Sequence, residues 1–155
     1  MTRYLWLCLL AMACKQKPAP HSGGTETADV IKEIEFSQAG GDLGFAQSLS
    51  ISRDSVHYHY LLGAKNETWS LDTLSSPELW NELISKADTV KFAALKSGGS
   101  NQPADGIDTK VTISMQSGKR LEVTNAQEPG NRELMPFFDQ LSRIAGGYVR
   151  RAMKL

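Results

Sequence analysis

The chain has 155 residues, and its 17 Lys and Arg residues balance its 17 Asp and Glu residues. A neutral chain of this kind argues against nucleic acid as a partner. Both cysteines, Cys8 and Cys14, lie at the N-terminus. A folded domain that begins after them has neither disulfides nor thiol chemistry, so it must depend on its apolar core alone.

The N-terminal segment has the features of an export signal. Arg3 precedes an uninterrupted apolar run from Tyr4 to Ala13, which is shorter than the roughly 20 apolar residues that span a bilayer. The last four residues of this run and Cys14 together read LAMAC. This segment resembles the lipobox of bacterial lipoproteins, in which the cysteine is lipidated. This predicts a lipid, such as palmitate, on Cys14. The alternative is an ordinary secretory signal that ends in a cysteine by chance.

The next segment predicts a tether between the membrane and the domain. Residues 15–29, KQKPAPHSGGTETAD, are rich in Pro, Gly, Ser, Thr and charge and nearly free of apolar side chains, which is typical of a flexible linker. We therefore expect a cleaved signal peptide over 1–13, a tether over 14–29, one domain over 30–147 and a basic tail over 148–155. Lys15 follows the cysteine in place of the aspartate that marks inner-membrane retention, so we expect an outer-membrane location that faces the periplasm.

Residues 30–74 show the alternation of apolar and polar side chains that is typical of β-strands. The segments are VIKEIEFS, then SLSISRDSVHYHYLL with a turn at Arg53 and Asp54, then TWSLDTL. A later stretch, IDTKVTISMQSGKRLEVTN, predicts a hairpin across QSGK.

Two segments predict helices. SSPELWNELISKAD begins with Ser75, Pro77 and Glu78, a capping pattern, and carries an apolar stripe at helical spacing. NRELMPFFDQLSRIAGG has Asn131 as the expected cap and ends at Gly146 and Gly147. TVKFAAL, between the first helix and the hairpin, favours an extended conformation.

The order of strands and helices indicates the fold class. It runs strands, helix, strands, helix, without the regular alternation of a parallel sheet. We therefore predict an α+β fold, with a small antiparallel sheet packed by two helices.

The stretch SQAGGDLGFAQS lies between two predicted strands. It matches neither G-x-x-x-x-G-K-[ST] nor G-x-G-x-x-G, and a strand follows it where a phosphate site would need a helix N-terminus. The glycines therefore indicate a bend that uses positive φ angles. The bend also offers a loop for a protein partner, with these candidate residues: Gly40, Gly41, Leu43, Gly44 and Phe45.

His57 and His59 are the closest approach to a metal site. Alternate residues of a strand lie about 7 Å apart on one face, a distance that a metal can bridge. The sequence supplies no evident third ligand, whereas zinc needs three or four. We therefore expect two solvated histidines and no metal.

The sequence contains no motif of a common catalytic site. Neither the nucleophile elbow G-x-S-x-G nor the zinc-peptidase motif H-E-x-x-H is present, and the expected domain has no cysteine. We therefore predict a non-enzymatic domain without a cofactor.

The ordered segments resemble a known family over residues 34–144. IEFSQAGGDLGFA, SPELWNELISKADTVKFAAL, PADGIDTKVTISMQSGKRLEVTNA and ELMPFFDQLSRI are similar, in this order, to the segments of the emfourin family. The glycine segment departs from the family pattern, because Asp42 and Leu43 separate the glycine pair from Gly44. The resemblance implies an α+β fold and a protein inhibitor of thermolysin-like metallopeptidases, and it assigns no inhibitory residue.

Three functions remain open at this point. The first is a lipid-anchored, protein-binding domain whose partner is a secreted metallopeptidase or another envelope protein. The second is an accessory or structural lipoprotein of the envelope without a protease target. The third is a metal or small-ligand binder that uses His57 and His59.

Overall fold

The computed structural model describes residues 29–127 and 130–152. The expected signal peptide, the expected lipid acceptor Cys14 and the tether as far as residue 28 lie outside the described residues. So do residues 153–155 of the expected tail.

A six-stranded antiparallel sheet forms the centre of the molecule, with the strand order β4-β3-β2-β1-β5-β6. Its strands are β1 (Ile31–Gly40), β2 (Phe45–Ser52), β3 (Ser55–Leu62), β4 (Glu67–Leu74), β5 (Ile107–Met115) and β6 (Arg120–Thr124). The described chain also has three α-helices, α1 (Pro77–Lys86), α2 (Thr89–Ala93) and α3 (Met135–Ala152). Short 3₁₀ helices span Gly63–Lys65, Gln102–Ala104 and Gly130–Leu134. The α+β class and the antiparallel sheet are confirmed, with three described helices in place of the predicted two.

The strand register places the apolar residues on one face of the sheet, which we call the covered face. Phe36 of β1 lies opposite Leu49 of β2 and Val111 of β5, and Leu49 lies opposite Tyr58 of β3. All four side chains are buried. Each such side chain contributes roughly 1.5–3 kcal/mol by leaving water, so this face anchors the fold.

The helices supply the other half of the core. Phe137 and Leu141 of α3 and Leu83 of α1 are completely buried, and Phe137 meets the ring of Phe92 in α2 edge-on at 6.3 Å. The opposite face of the sheet, which we call the open face, carries mostly polar side chains.

Helix α1 begins one residue later than the sequence predicted. The cap is Ser76, whose side-chain oxygen accepts the backbone N–H of Leu79, and Pro77 is the first helical residue. The predicted cap was Ser75, and its hydroxyl is buried without a hydrogen-bond partner in the described chain. Adjacent serines made the two positions indistinguishable by pattern alone.

The prediction of extended chain for TVKFAAL is wrong, because Thr89–Ala93 forms α2. The Asp88 side chain accepts the backbone N–H groups of Val90 and Lys91, which satisfies the free donors of the first turn. Phe92 is then buried. A cap and one buried ring outweigh the β propensity of Thr, Val and Phe here.

Helix α3 differs from the prediction at both ends. Asn131 lies in a 3₁₀ turn and not at the helix cap, because α3 begins at Met135. At the other end, Gly146 and Gly147 do not terminate the helix, which continues to Ala152. The reason is Tyr148, whose ring stacks on Tyr58 at 5.2 Å.

None of the helices in the described part of the chain has the length and apolar character to cross a bilayer.

Candidate functional site

The turn between β1 and β2, residues 41–44, is the glycine turn. Its conformation requires glycine, because φ is +136° at Gly40, +74° at Gly41 and +63° at Gly44. The backbone also passes close to a neighbouring loop. The Gly41 N–H donates to the Gly106 carbonyl at 3.1 Å, and a Cβ at Gly40 would lie 2.2 Å from that same oxygen. The predicted bend with positive φ angles is confirmed.

The other side of the glycine turn is fixed to the connection between β3 and β4. The Gly63 N–H donates to the Gly44 carbonyl at 3.1 Å, and the Ala64 N–H donates to the Leu43 carbonyl at 2.9 Å. The glycine turn is therefore bonded through its backbone to a second loop on each side. We call these three segments, residues 41–44, 63–65 and 99–106, the loop end of the sheet.

Asp108 anchors the third of these segments. Its carboxylate accepts from the Ser100 hydroxyl at 2.6 Å, the Asn101 N–H at 2.7 Å and the Asn125 side-chain amide at 2.7 Å. The Ser100 bond is the main reason why the pKa of Asp108 lies below its usual value, and the other two bonds lower it further. One charged acceptor thus ties the loop to the start of β5 and to the residue that follows β6.

The candidate residues of the glycine turn occupy different environments. Leu43 is 53% exposed at the tip of the turn. Phe45 is half-buried and meets the ring of Tyr60 edge-on at 5.8 Å, so its contacts are with the body of the domain. Ile107, the first residue of β5 and not a predicted site residue, pairs with Gly40 and is 44% exposed. The loop end and the adjacent Ile107 therefore present two apolar side chains on a braced backbone.

His57 lies on the open face at the centre of a short chain of hydrogen bonds. Its Nδ1 lies 2.7 Å from a carboxylate oxygen of Asp72, and its Nε2 lies 3.1 Å from the Ser55 hydroxyl. The side chains of His57 and Asp72 are 57% and 79% exposed. The order Asp–His–Ser matches that of acyl-transfer enzymes, but here water competes for each bond on an open surface.

The hydrogen bonds of His57 also make the two histidines less suitable as metal ligands. Both ring nitrogens of His57 are already engaged, so metal binding would have to displace a partner. His59 lies two residues further on the same face, opposite Ser48 and Ser70. Across residues 29–127 and 130–152, no group of three or more His, Cys, Asp or Glu side chains is close enough to hold a metal ion.

A partly buried chain of polar side chains crosses the covered face, and it was not among the predicted features. The Tyr58 hydroxyl donates to Gln47 at 2.8 Å, Gln47 donates to Gln38 at 2.6 Å, and Gln38 donates to the Thr109 hydroxyl at 3.2 Å. Burial raises the pKa of Tyr58, and Tyr60 raises it further, so the phenol stays protonated and donates. The four residues belong to β3, β2, β1 and β5.

A sequence signal for this chain exists. Gln38 lies two residues after Phe36, and Gln47 lies two residues before Leu49. Because alternate residues of a strand point to the same face, both amides lie on an otherwise apolar face. Buried amides need partners. Two of them opposite each other predict a cross-strand bond.

Fold and site together define a small α+β domain with a braced loop end. In comparisons with known proteins, no family model matches this chain, and no curated protein matches it significantly. The resemblance to the emfourin family stays a prediction.

Proposed function

We propose that this chain is a lipid-anchored protein of the bacterial cell envelope whose domain binds another protein through the loop end. In this proposal the domain is non-catalytic and needs no cofactor. The observation that carries the proposal is the exposure of Leu43 on a turn that backbone hydrogen bonds hold from both sides. A preformed loop loses little conformational entropy on binding, so more of its contact energy becomes affinity.

The chemistry of the loop end suits a protein partner. Leu43 and Ile107 are exposed apolar side chains, and the segments around them supply polar groups, including Asp42, Lys65 and Asp105. Apolar anchors with a polar surround are typical of the centre and rim of protein interfaces.

The most concrete version of the proposal is inhibition of a thermolysin-like metallopeptidase. It rests on the resemblance to the emfourin family, and it includes the arrangement of strands, helix, strands and helix that the resemblance implies. Within it, the glycine turn occupies the peptidase cleft and Leu43 enters a side-chain pocket. A rigid exposed loop is sufficient for such a role.

The test is a titration of a thermolysin-like peptidase with the purified protein and two variants. We expect inhibition by the wild type and a loss of at least about tenfold in affinity for Leu43→Asp, because a carboxylate would be desolvated in an apolar pocket. Leu74→Asp is the matched control, since Leu74 is 85% exposed at the far end of β4. Absence of inhibition by the wild type at micromolar concentration would remove this target and leave either another envelope protein as the partner or the accessory role without a protease target.

The lipid anchor has its own test, and the chain supplies the control. We expect cells to incorporate labelled palmitate into the wild type and into Cys8→Ser, and to lose the label in Cys14→Ser. Label that survives in Cys14→Ser would overturn the anchor and, with it, the outer-membrane location that we propose. The protein-binding proposal would stand, because it depends on the loop end alone.

A further inference from the structure

The sheet has two edge strands, β6 and β4, and β6 is protected. It has five residues, and two of them, Arg120 and Glu122, are charged. A loop also covers its end: the Gly98 N–H donates to the Thr124 carbonyl at 2.9 Å, and the Thr124 N–H donates to the Ser97 hydroxyl at 3.1 Å. Short length, charge and a covering segment are common means by which proteins keep a sheet edge from pairing with another chain.

Strand β4 lacks these protections in the described part of the molecule. It runs for eight residues, Glu67–Leu74, and contains no proline, glycine, lysine or arginine. Of its two acidic residues, Asp72 is already hydrogen-bonded to His57 at 2.7 Å. Leu74 at its end is 85% exposed. A long edge strand with few charges and exposed apolar surface tends to pair with another strand.

The pairing of β4 with β3 shows which backbone groups of β4 are free. The Ser75 N–H donates to the Asp54 carbonyl at 3.2 Å, which continues the ladder of the two strands by one step. Successive residues of a strand direct their backbone groups to opposite sides, so Thr73, Leu71 and Trp69 bond to β3. The residues that direct their N–H and C=O groups outward form what we call the outer edge: Thr68, Ser70, Asp72 and Leu74. Within residues 29–127 and 130–152, no hydrogen bond reaches these outward groups.

The outer edge is complementary to itself when two copies run antiparallel. One register pairs all four of its residues, with Ser70 opposite Asp72 of the second copy and Thr68 opposite Leu74. The Ser70 hydroxyl has no partner among the described residues, and His57 engages only one carboxylate oxygen of Asp72, so the hydroxyl can donate to the other. A shift by two residues either places Asp72 opposite Asp72, which is unfavourable, or leaves Leu74 unpaired.

The same register suits the covered face of the sheet. Leu71 lies on the two-fold axis and meets its own copy, and Trp69 lies opposite Thr73 of the second copy. Leu71 and Trp69 are only half-buried in a single chain, so the pairing removes more of their apolar surface from water. The two-fold symmetry also closes the assembly, because the sheet edges that stay outside are the two protected β6 strands.

We propose that β4 pairs with β4 of a second copy of this chain, to form a two-fold dimer with one antiparallel sheet across both copies. Backbone hydrogen bonds along the outer edge hold the copies together, as in other cases of strand addition. The contacts between Ser70 and Asp72 fix the register. A single strand pair is a small interface, so we expect a dissociation constant in the micromolar range. The dimer uses no residue of the loop end, so it forms whether or not the domain binds a peptidase.

Sedimentation velocity of the purified protein over a concentration series tests the dimer. We expect the sedimentation coefficient to rise from that of a monomer to that of a dimer and no further, because two-fold pairing occupies both outer edges. In Ser70→Pro the rise should disappear. The Ser70 N–H points outward, so proline removes no bond to β3, whereas its ring blocks the outer edge. A wild type that stays monomeric or grows beyond a dimer, or dimers of Ser70→Pro, would contradict the proposal.

Charge substitutions test the register, and they do so even if Ser70→Pro does not fold. Ser70→Asp sets two carboxylates opposite each other at two symmetric places, so we expect dimerisation to weaken at least about fivefold. Adding Asp72→Ser to Ser70→Asp leaves one carboxylate in each pair and restores the net charge, so the affinity should return to within about twofold of the wild type. Ser48→Asp is the matched control, at an exposed position of the interior strand β2, and it should dimerise like the wild type. Equal weakening in Ser48→Asp, or no recovery in the double variant, would overturn the pairing of β4 with itself.

Discussion

Two glycine pairs with the same letters have opposite roles in this molecule. Gly40 and Gly41 enter the turn between β1 and β2, and both have positive φ angles. Gly146 and Gly147 lie within α3, which continues for five residues beyond them. Glycine permits a break in regular structure without requiring one. The difference shows that the surrounding contacts decide whether that freedom is used.

The contacts at the two places explain the outcome. At the glycine turn, the chain reverses against Gly106, so any side chain at position 40 would meet a carbonyl oxygen. In α3, Tyr148 stacks on Tyr58 and Val149 packs against the core. Burial of these side chains offsets the cost of about 1 kcal/mol for each glycine in a helix.

The largest expected effect is at Gly40. We expect Gly40→Ala to lower the free energy of unfolding by about 3 kcal/mol or more, because the new Cβ meets a backbone atom and φ lies in a region that L-residues avoid. Urea unfolding measures this. The matched control is Gly41→Ala, whose Cβ meets open space, so it should cost only the positive-φ penalty of about 1–2 kcal/mol. Equal losses for the two variants would mean that the contact with Gly106 is unimportant.

The next effect is at Tyr148, which holds the far end of α3. We expect Tyr148→Ala to cost about 2 kcal/mol, because it removes the half-buried ring that stacks on Tyr58. Tyr148→Phe keeps the ring and should stay within about 0.5 kcal/mol of the wild type. Circular dichroism should also show fewer helical residues in Tyr148→Ala. Unchanged helix content would show that α3 continues past its glycines for another reason.

Local patterns predicted most of the fold correctly. Alternation located the strands, and the predicted hairpin of β5 and β6 is confirmed, with Val111 opposite Val123 and Ile113 opposite Leu121. Within the second predicted helical segment, Leu134, Phe137 and Leu141 follow a helical spacing and are buried. These features depend on the period of apolar residues, which the sequence displays directly.

Features that depend on distant contacts were missed. The end of α3 is set by Tyr58, which lies in β3, and neither ring signals the other in the sequence. The bracing of the glycine turn requires residues 63 and 106, which only the fold brings near. At the candidate site, the position of Leu43 at the tip of the turn was predictable, whereas the packing of Phe45 on Tyr60 was not.

The smallest expected effect is at Gly147, where alanine should raise the stability of the protein and not lower it. We expect Gly147→Ala to raise the free energy of unfolding by about 0.5–1 kcal/mol, because alanine has the higher helix propensity and a Cβ at this position meets nothing within 4 Å. The same exchange at Gly41 lowers stability, so the two variants in one urea series should move in opposite directions. An added Cβ meets no atom within 4 Å at either position. The two variants therefore differ only in backbone conformation, which is a positive φ at Gly41 and helical at Gly147. A loss of stability at Gly147 would mean that the segment leaves the helical conformation in solution, and the pairing of Tyr148 with Tyr58 would then need another geometry.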